Sequence, residues 1–153
     1  MNPIINYRIM APDLYRSLRA FTLALPTDQV PGQLLHLIDL RVSQINGCRF
    51  CLELHTEEAR REGESLERIE ALVHWRDSAL FTDSERCAFE WADAMTRLDR
   101  DDHGRQDLIT ALREHFDDGA ISRLTFAIAG INAWNRIAGA FHRHDGELAD
   151  APC

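Results

Sequence analysis

The sequence predicts an all-α fold of about six to seven helices, on three observations. Apolar residues recur at helical spacing along most of the 153-residue chain. No stretch alternates apolar and polar residues with the β-branched enrichment of a half-buried strand. Helix punctuation is regular: prolines at starts, glycines after ends, and Ser, Thr or Asp at caps.

Pro12 stands where a first helical residue would, DLYRSLRAFTLAL follows, and Pro26 stops the segment. Pro31 opens a second helix, PGQLLHLIDLRVSQI, with apolar residues at 34, 35, 37, 38, 42 and 45. Asn46-Gly47 ends it with a left-handed cap. A third helix is predicted from Cys48 to Arg61 or Glu62, with Gly63 as its stop, and Ser65 opens a fourth, SLERIEALVHW. Thr82 and Glu85 have the spacing of a capping box for a fifth, which runs to about Leu98 and carries Cys87 as a small core residue. DRDDHG reads as a polar turn and QDLITALREHF as a sixth helix. Asp117 caps a last helix, DGAISRLTFAIAGINAWNRIAGAFHRH, ending before Gly146. Its centre is apolar over much of its circumference, which predicts burial either at the middle of the fold or against another subunit.

No repeat, linker or compositional break divides the chain, so a single domain over residues 1–153 is expected. A hydrophobic share of 45% supports a real core, and the 27% charged fraction is ordinary. Seventeen basic against twenty-five acidic residues give a net charge of −8, which disfavours nucleic acid and anionic lipid surfaces. The N-terminus lacks the layout of a secretory signal and no apolar run approaches the roughly 20 residues that span a bilayer, so a cytoplasmic location is expected. Cys153, the last residue, is expected to fray.

The stretch NGCRFCLELHTEEA, residues 46–59, carries the chemistry. On a helix at about 100° per residue, Cys48, Cys51 and His55 fall within about 60° of arc. Cys48 would lie in the first turn, where free N–H groups and the macrodipole favour a thiolate. Two sulfurs spaced to bond and an imidazole one turn from Cys51 specify a redox thiol pair. Two plainer readings stay open here. One is buried core thiols with a satisfied histidine. The other is structural zinc, which needs four ligands although only one CxxC exists, so that His142 and His144 would have to complete the set.

LRVSQINGCRFCLELHTEEARREGE resembles the core motif of the alkylhydroperoxidase D-like proteins of the carboxymuconolactone decarboxylase superfamily. LFTDSERCAFEWADAMTRL and LTFAIAGINAWNRIAGAFHRH resemble the family's later helices, so that the likeness runs over residues 12–145. The resemblance implies an all-helical fold with CxxC at the N-terminus of a central helix. It implies peroxide chemistry without metal or other cofactor, and a homo-oligomer, such as a trimer of dimers. By position it makes Cys51 the peroxide-attacking cysteine, Cys48 the resolving cysteine and His55 the proton relay. The family's glutamate, twelve residues before the first cysteine, is His36 here, whose neutral imidazole could accept a proton in its place or simply cap the pocket. Asp39, three residues on, is a candidate substitute, and Phe50 makes the position between the cysteines apolar. Asn132, Trp134, Asn135 and Arg136 are expected to pack or hold helix contacts, Gln44 and Asn46 to fix the turn before Cys48, and His142-Arg143-His144 to form a solvated helix end.

The expected reaction is therefore thiol-dependent reduction of a hydroperoxide, with an external dithiol, thioredoxin-like or lipoyl, restoring the pair. The rival expectation is a CxxC redox adaptor that exchanges disulfides with a partner protein. A decarboxylase on the same fold is disfavoured, since that branch works without the cysteine pair.

Overall fold

Apolar residues fall on nearly every side of the segment from Gly32 to Asn46, and the fold is built around it. In the computed structural model, which describes residues 3–98 and 102–142, the order is α1 (Tyr7–Met10), α2 (Pro12–Leu23), α3 (Gly32–Asn46), α4 (Arg49–Arg61), α5 (Leu66–Ala71), α6 (Asp83–Arg97), α7 (Asp102–Leu112) and α8 (Asp118–Phe141). A 3-10 turn, Leu72–His74, continues α5. No strand occurs among the described residues.

Leu34, Leu35, Leu37, Ile38, Leu40 and Val42 of α3 are all buried, so α3 is enclosed by its neighbours α4, α6 and α8. α6 adds Ala88, Phe89, Trp91 and Ala92 to the same core. α8 adds Ala120, Ile121, Leu124, Ala127, Ile128 and Ile131, at the three- and four-residue steps of a single buried stripe. Phe126 on its other side is exposed and meets Phe21 edge-on at 6.0 Å. Where α8 crosses α2, a Cβ on Gly130 would stand 2.9 Å from the Phe21 ring, so the glycine allows the close approach.

Cap chemistry accounts for the boundaries. Thr82 and Glu85 form the capping box, Ser65 caps α5 through Arg68 N, and Asp117 accepts from Ala120 N to start α8. Gly47 takes φ +64° after α3. Gly47 N bonds Gln44 O and Cys48 N bonds Ser43 O, a Schellman closure that hands the chain to α4.

One short helix was not expected, and several boundaries depart from expectation, the start of α4 at Arg49 among them. α1 has too few residues for a periodic signal. α3 begins at Gly32 with Pro31 as its extended cap. α7 begins at Asp102 and ends at Leu112, earlier than QDLITALREHF implied, because His115 N and Phe116 N close back on Leu112 O before Asp117 restarts the chain as a cap. α8 ends at Phe141, where His142 turns extended. Cys153 and His144 lie outside the described residues.

A buried ion pair ties α3 to α6. Arg41 donates Nε and Nη2 to the two carboxylate oxygens of Asp93 at 2.6 and 2.7 Å. Arg76 and Arg97 add contacts to Asp93 at 3.2 and 3.1 Å. Burial alone would raise the Asp93 carboxyl, but these cations outweigh it and hold it below the usual carboxylate range.

Candidate functional site

α3 and α4 pack together, α8 holds the C-terminal end of α3 and the start of α4, and residues of α2 line the open side. Between them lies a cavity of about 540 Å³ whose wall carries Cys51, His55, His36, Asp39, Glu58 and Phe50. The CxxC is placed by the turn before it. Asn46 donates to Asn132 Oδ1 at 3.0 Å and Asn135 Oδ1 at 2.8 Å, and Asn135 donates to Ser43 Oγ at 3.0 Å. Those bonds fix the end of α3 to α8, which sets where α4 begins. Asn132 and Asn135 thus hold helix contacts as expected, and Arg136 bonds within its own helix. Trp134 packs edge-on against Tyr15 at 5.8 Å, and Trp75 lies in the core.

Cys48 stands at the N-cap position, just outside α4 rather than in its first turn as expected, because the turn at Gly47 leaves its backbone non-helical; Cys51 lies in the first turn, and the two sulfurs are joined in a disulfide with Cα atoms 5.3 Å apart. The bond is buried: Cys48 is 6% and Cys51 3% exposed. Cys51 borders the cavity, whereas Cys48 does not. Cys87 lies apart as a half-buried free thiol, pushed up chiefly by burial.

His55, one turn beyond Cys51, faces two carboxylates. Its Nδ1 stands 2.9 Å from Glu58 Oε2 and 3.7 Å from Asp39 Oδ2. Burial alone would lower this imidazole, but the Glu58 bond and the Asp39 charge outweigh it and raise it above the ordinary histidine value. Asp39 is pushed up to about 6 by burial, although His55 and His36 pull it the other way. Glu58 is lowered, chiefly by its bond to His55. His36, at the position where a glutamate was expected, places Nε2 3.2 Å from Glu62 Oε2, and its Nδ1 is buried without a partner. His36, Asp39 and His55 present donor atoms that all lie within 4.8 Å of one another.

Sequence reasoning brought Cys48, Cys51, His55, His36 and Asp39 to one place, as the structure does. It missed Glu58 and Glu62, although Glu58 follows His55 at the three-residue step that puts two side chains on one helix face. His142 was expected in solvent and is instead 6% exposed. It stacks on Phe50 with ring centroids 3.7 Å apart and meets Tyr7 Oη through Nε2 at 3.3 Å. The apolar ring at position 50 supplies the surface that draws it in. Arg143, the other member of that expected end, lies outside the described residues with His144. Of the zinc set considered above, Cys48 and Cys51 are bonded to each other, His142 is engaged by Phe50 and Tyr7, and His144 lies outside the described residues.

Residues 12–94 match the model of the carboxymuconolactone decarboxylase family. The uncharacterized protein YdfG of Bacillus subtilis is 30% identical over 138 residues, 90% of this chain and 93% of that protein. The uncharacterized protein YnjA of Escherichia coli is 35% identical over 94 residues, 60% of this chain and 50% of that protein. A solved structure of a protein of unknown function from Agrobacterium tumefaciens, named as a candidate antioxidant defence protein AhpD, superposes with a TM-score of 0.84 at 36% identity. It covers 95% of this chain and 99% of that one. An uncharacterized peroxidase-related protein from Silicibacter superposes at 0.70 with 27% identity, over 82% of this chain and 66% of its own.

Proposed function

The chain belongs to the carboxymuconolactone decarboxylase family, as an alkylhydroperoxidase D-like member, and from that premise we propose that it is a thiol-dependent peroxidase acting on hydroperoxides. The observation that carries the proposal is the placement of the cysteine pair: Cys51 opens on a cavity it shares with His55, while Cys48 lies behind it within bonding distance.

In the reduced protein, His55 accepts the Cys51 proton, and Glu58 and Asp39 stabilise the imidazolium that results. The thiolate attacks one peroxide oxygen and the O–O bond breaks. Cys51 becomes a sulfenic acid, and the departing alkoxide takes the proton back from His55 to leave as an alcohol. The Cys48 thiol then displaces hydroxide from the Cys51 sulfur, which forms the disulfide and releases water. An external dithiol restores both thiols by exchange and is itself oxidised to a disulfide.

A thiolate must reach a disulfide sulfur directly to exchange with it. Both sulfurs are buried and only Cys51 borders the cavity, which favours a slender dithiol such as a lipoyl arm over a broad protein surface. This burial also weighs against the adaptor reading.

The test is peroxide consumption coupled to a small dithiol, in the parent, Cys51→Ser and Cys48→Ser. Cys51→Ser is expected to abolish turnover. Cys48→Ser is expected to complete one turnover and stop at a Cys51 sulfenic acid, trapped by a dimedone-type reagent. Turnover at the parent's rate in Cys51→Ser would end the proposal. Negligible parental turnover alongside fast exchange with a thioredoxin-like protein would instead establish the adaptor.

A further inference from the structure

We propose that His36, Asp39 and His55 form a binding site for one divalent first-row transition-metal ion in the cavity wall beside the cysteine pair. The inference does not depend on the peroxidase reading.

The ligand types fit. Two imidazoles and a carboxylate suit zinc, cobalt or ferrous ions better than magnesium or calcium, which prefer oxygen alone. His36 and Asp39 are three residues apart on α3 and so share a face, while α4 brings His55 to the same point. Their donor atoms lie within 4.8 Å of one another. Ligand atoms bonded at about 2.0–2.2 Å to one ion stand roughly 3.0–3.5 Å apart, so side-chain rotations that contract the set by about an ångström would close it.

A second observation concerns what holds the rings. Metal-binding histidines commonly give one ring nitrogen to a carboxylate and keep the other for the ion. Both histidines have such a carboxylate: Glu58 on His55 Nδ1 at 2.9 Å and Glu62 on His36 Nε2 at 3.2 Å. On His36 the remaining nitrogen, Nδ1, is buried with no partner, a cost that a bonded ion would remove. Asp39 likewise lies beyond hydrogen-bond range of His55. Three carboxylates therefore converge on two imidazoles, against cavity-lining cations of which Arg61 is paired with Glu57.

The experiment uses the full chain in its disulfide form, so that neither Cys48 nor Cys51 can serve as a thiolate ligand. After chelator treatment and desalting, Co²⁺ is titrated while visible absorption is followed, and Zn²⁺ is titrated by calorimetry. The expected result is one ion per chain, with affinity lowered at least about tenfold in His36→Gln and in Asp39→Asn. Circular dichroism checks that both variants keep their helices. A measurement on the parent covers the case in which a variant fails to fold: bound Zn²⁺ should protect His36 and His55 from carbethoxylation, read by peptide mass spectrometry. No binding, binding that folded His36→Gln and Asp39→Asn retain at full strength, or an ion that leaves both histidines open to the reagent would overturn the proposal.

Discussion

His55 and Glu58 are joined by a 2.9 Å contact within one turn of α4, so the imidazole nearest Cys51 in sequence has its carboxylate partner on its own helix. A glutamate at position 36 would have had to supply that charge from α3. With His36 there, the negative charge around His55 comes from Glu58 and from Asp39.

Replacing Glu58 by Gln keeps the shape and removes the charge. The expected effect is a fall of about tenfold in kcat/KM for hydroperoxide, since a charge-assisted bond exceeds a neutral one by roughly 1.4 kcal/mol. Asp39→Asn is expected to have a smaller effect, because Asp39 lies 3.7 Å from the ring. Steady-state kinetics at saturating dithiol check both, and equal rates in parent and Glu58→Gln would show that the pair does not assist the chemistry.

Gly47 holds φ +64° directly before Cys48. A side chain there costs about 1 kcal/mol or more in the left-handed region. Gly47→Ala is expected to lower Tm by a few degrees and also to shift the dithiol–disulfide equilibrium, because the turn sets where Cys48 stands. Redox titration against glutathione separates the two: a lower Tm with an unchanged equilibrium would mean that the turn serves stability alone.

Asp93 anchors the pair between α3 and α6. Removing one partner of a buried ion pair costs on the order of 3–5 kcal/mol, so Asp93→Ala is expected to lose about that much in denaturant unfolding. The folded Asp93 carboxyl is held below its unfolded value. Its stabilisation is therefore fully present above the unfolded value of about 4 and is lost as pH falls through the folded one. Unfolding measured from pH 6 down to pH 2 is expected to fall less steeply in Asp93→Asn than in the parent.

Gly130→Ala would press a methyl against the Phe21 ring. Overpacking of this kind costs typically about 1–3 kcal/mol, and here it would push α2 away from α8. Because Tyr15, Arg19 and Thr22 of α2 line the cavity, the variant is expected to raise KM for bulky hydroperoxides more than it lowers kcat. Unchanged stability would show that the ring simply turns aside.

What the sequence determined by itself was local. The capping box at Thr82, the Asn46-Gly47 end and the one-turn step from Cys51 to His55 on α4 follow from bonds and spacings a few residues long. The end of α8 and the burial of His142 were not legible, because both depend on neighbours distant in sequence. Phe50, for example, captures His142 across more than ninety residues. Only the tertiary structure decided which cysteine borders the cavity, that Glu62 meets His36 and that Asn46 is pinned to α8. Helical periodicity specifies the angle of a side chain about its own axis. How close two helices come, and so which charges meet, depends on how their surfaces pack, as where Gly130 lets α8 approach α2.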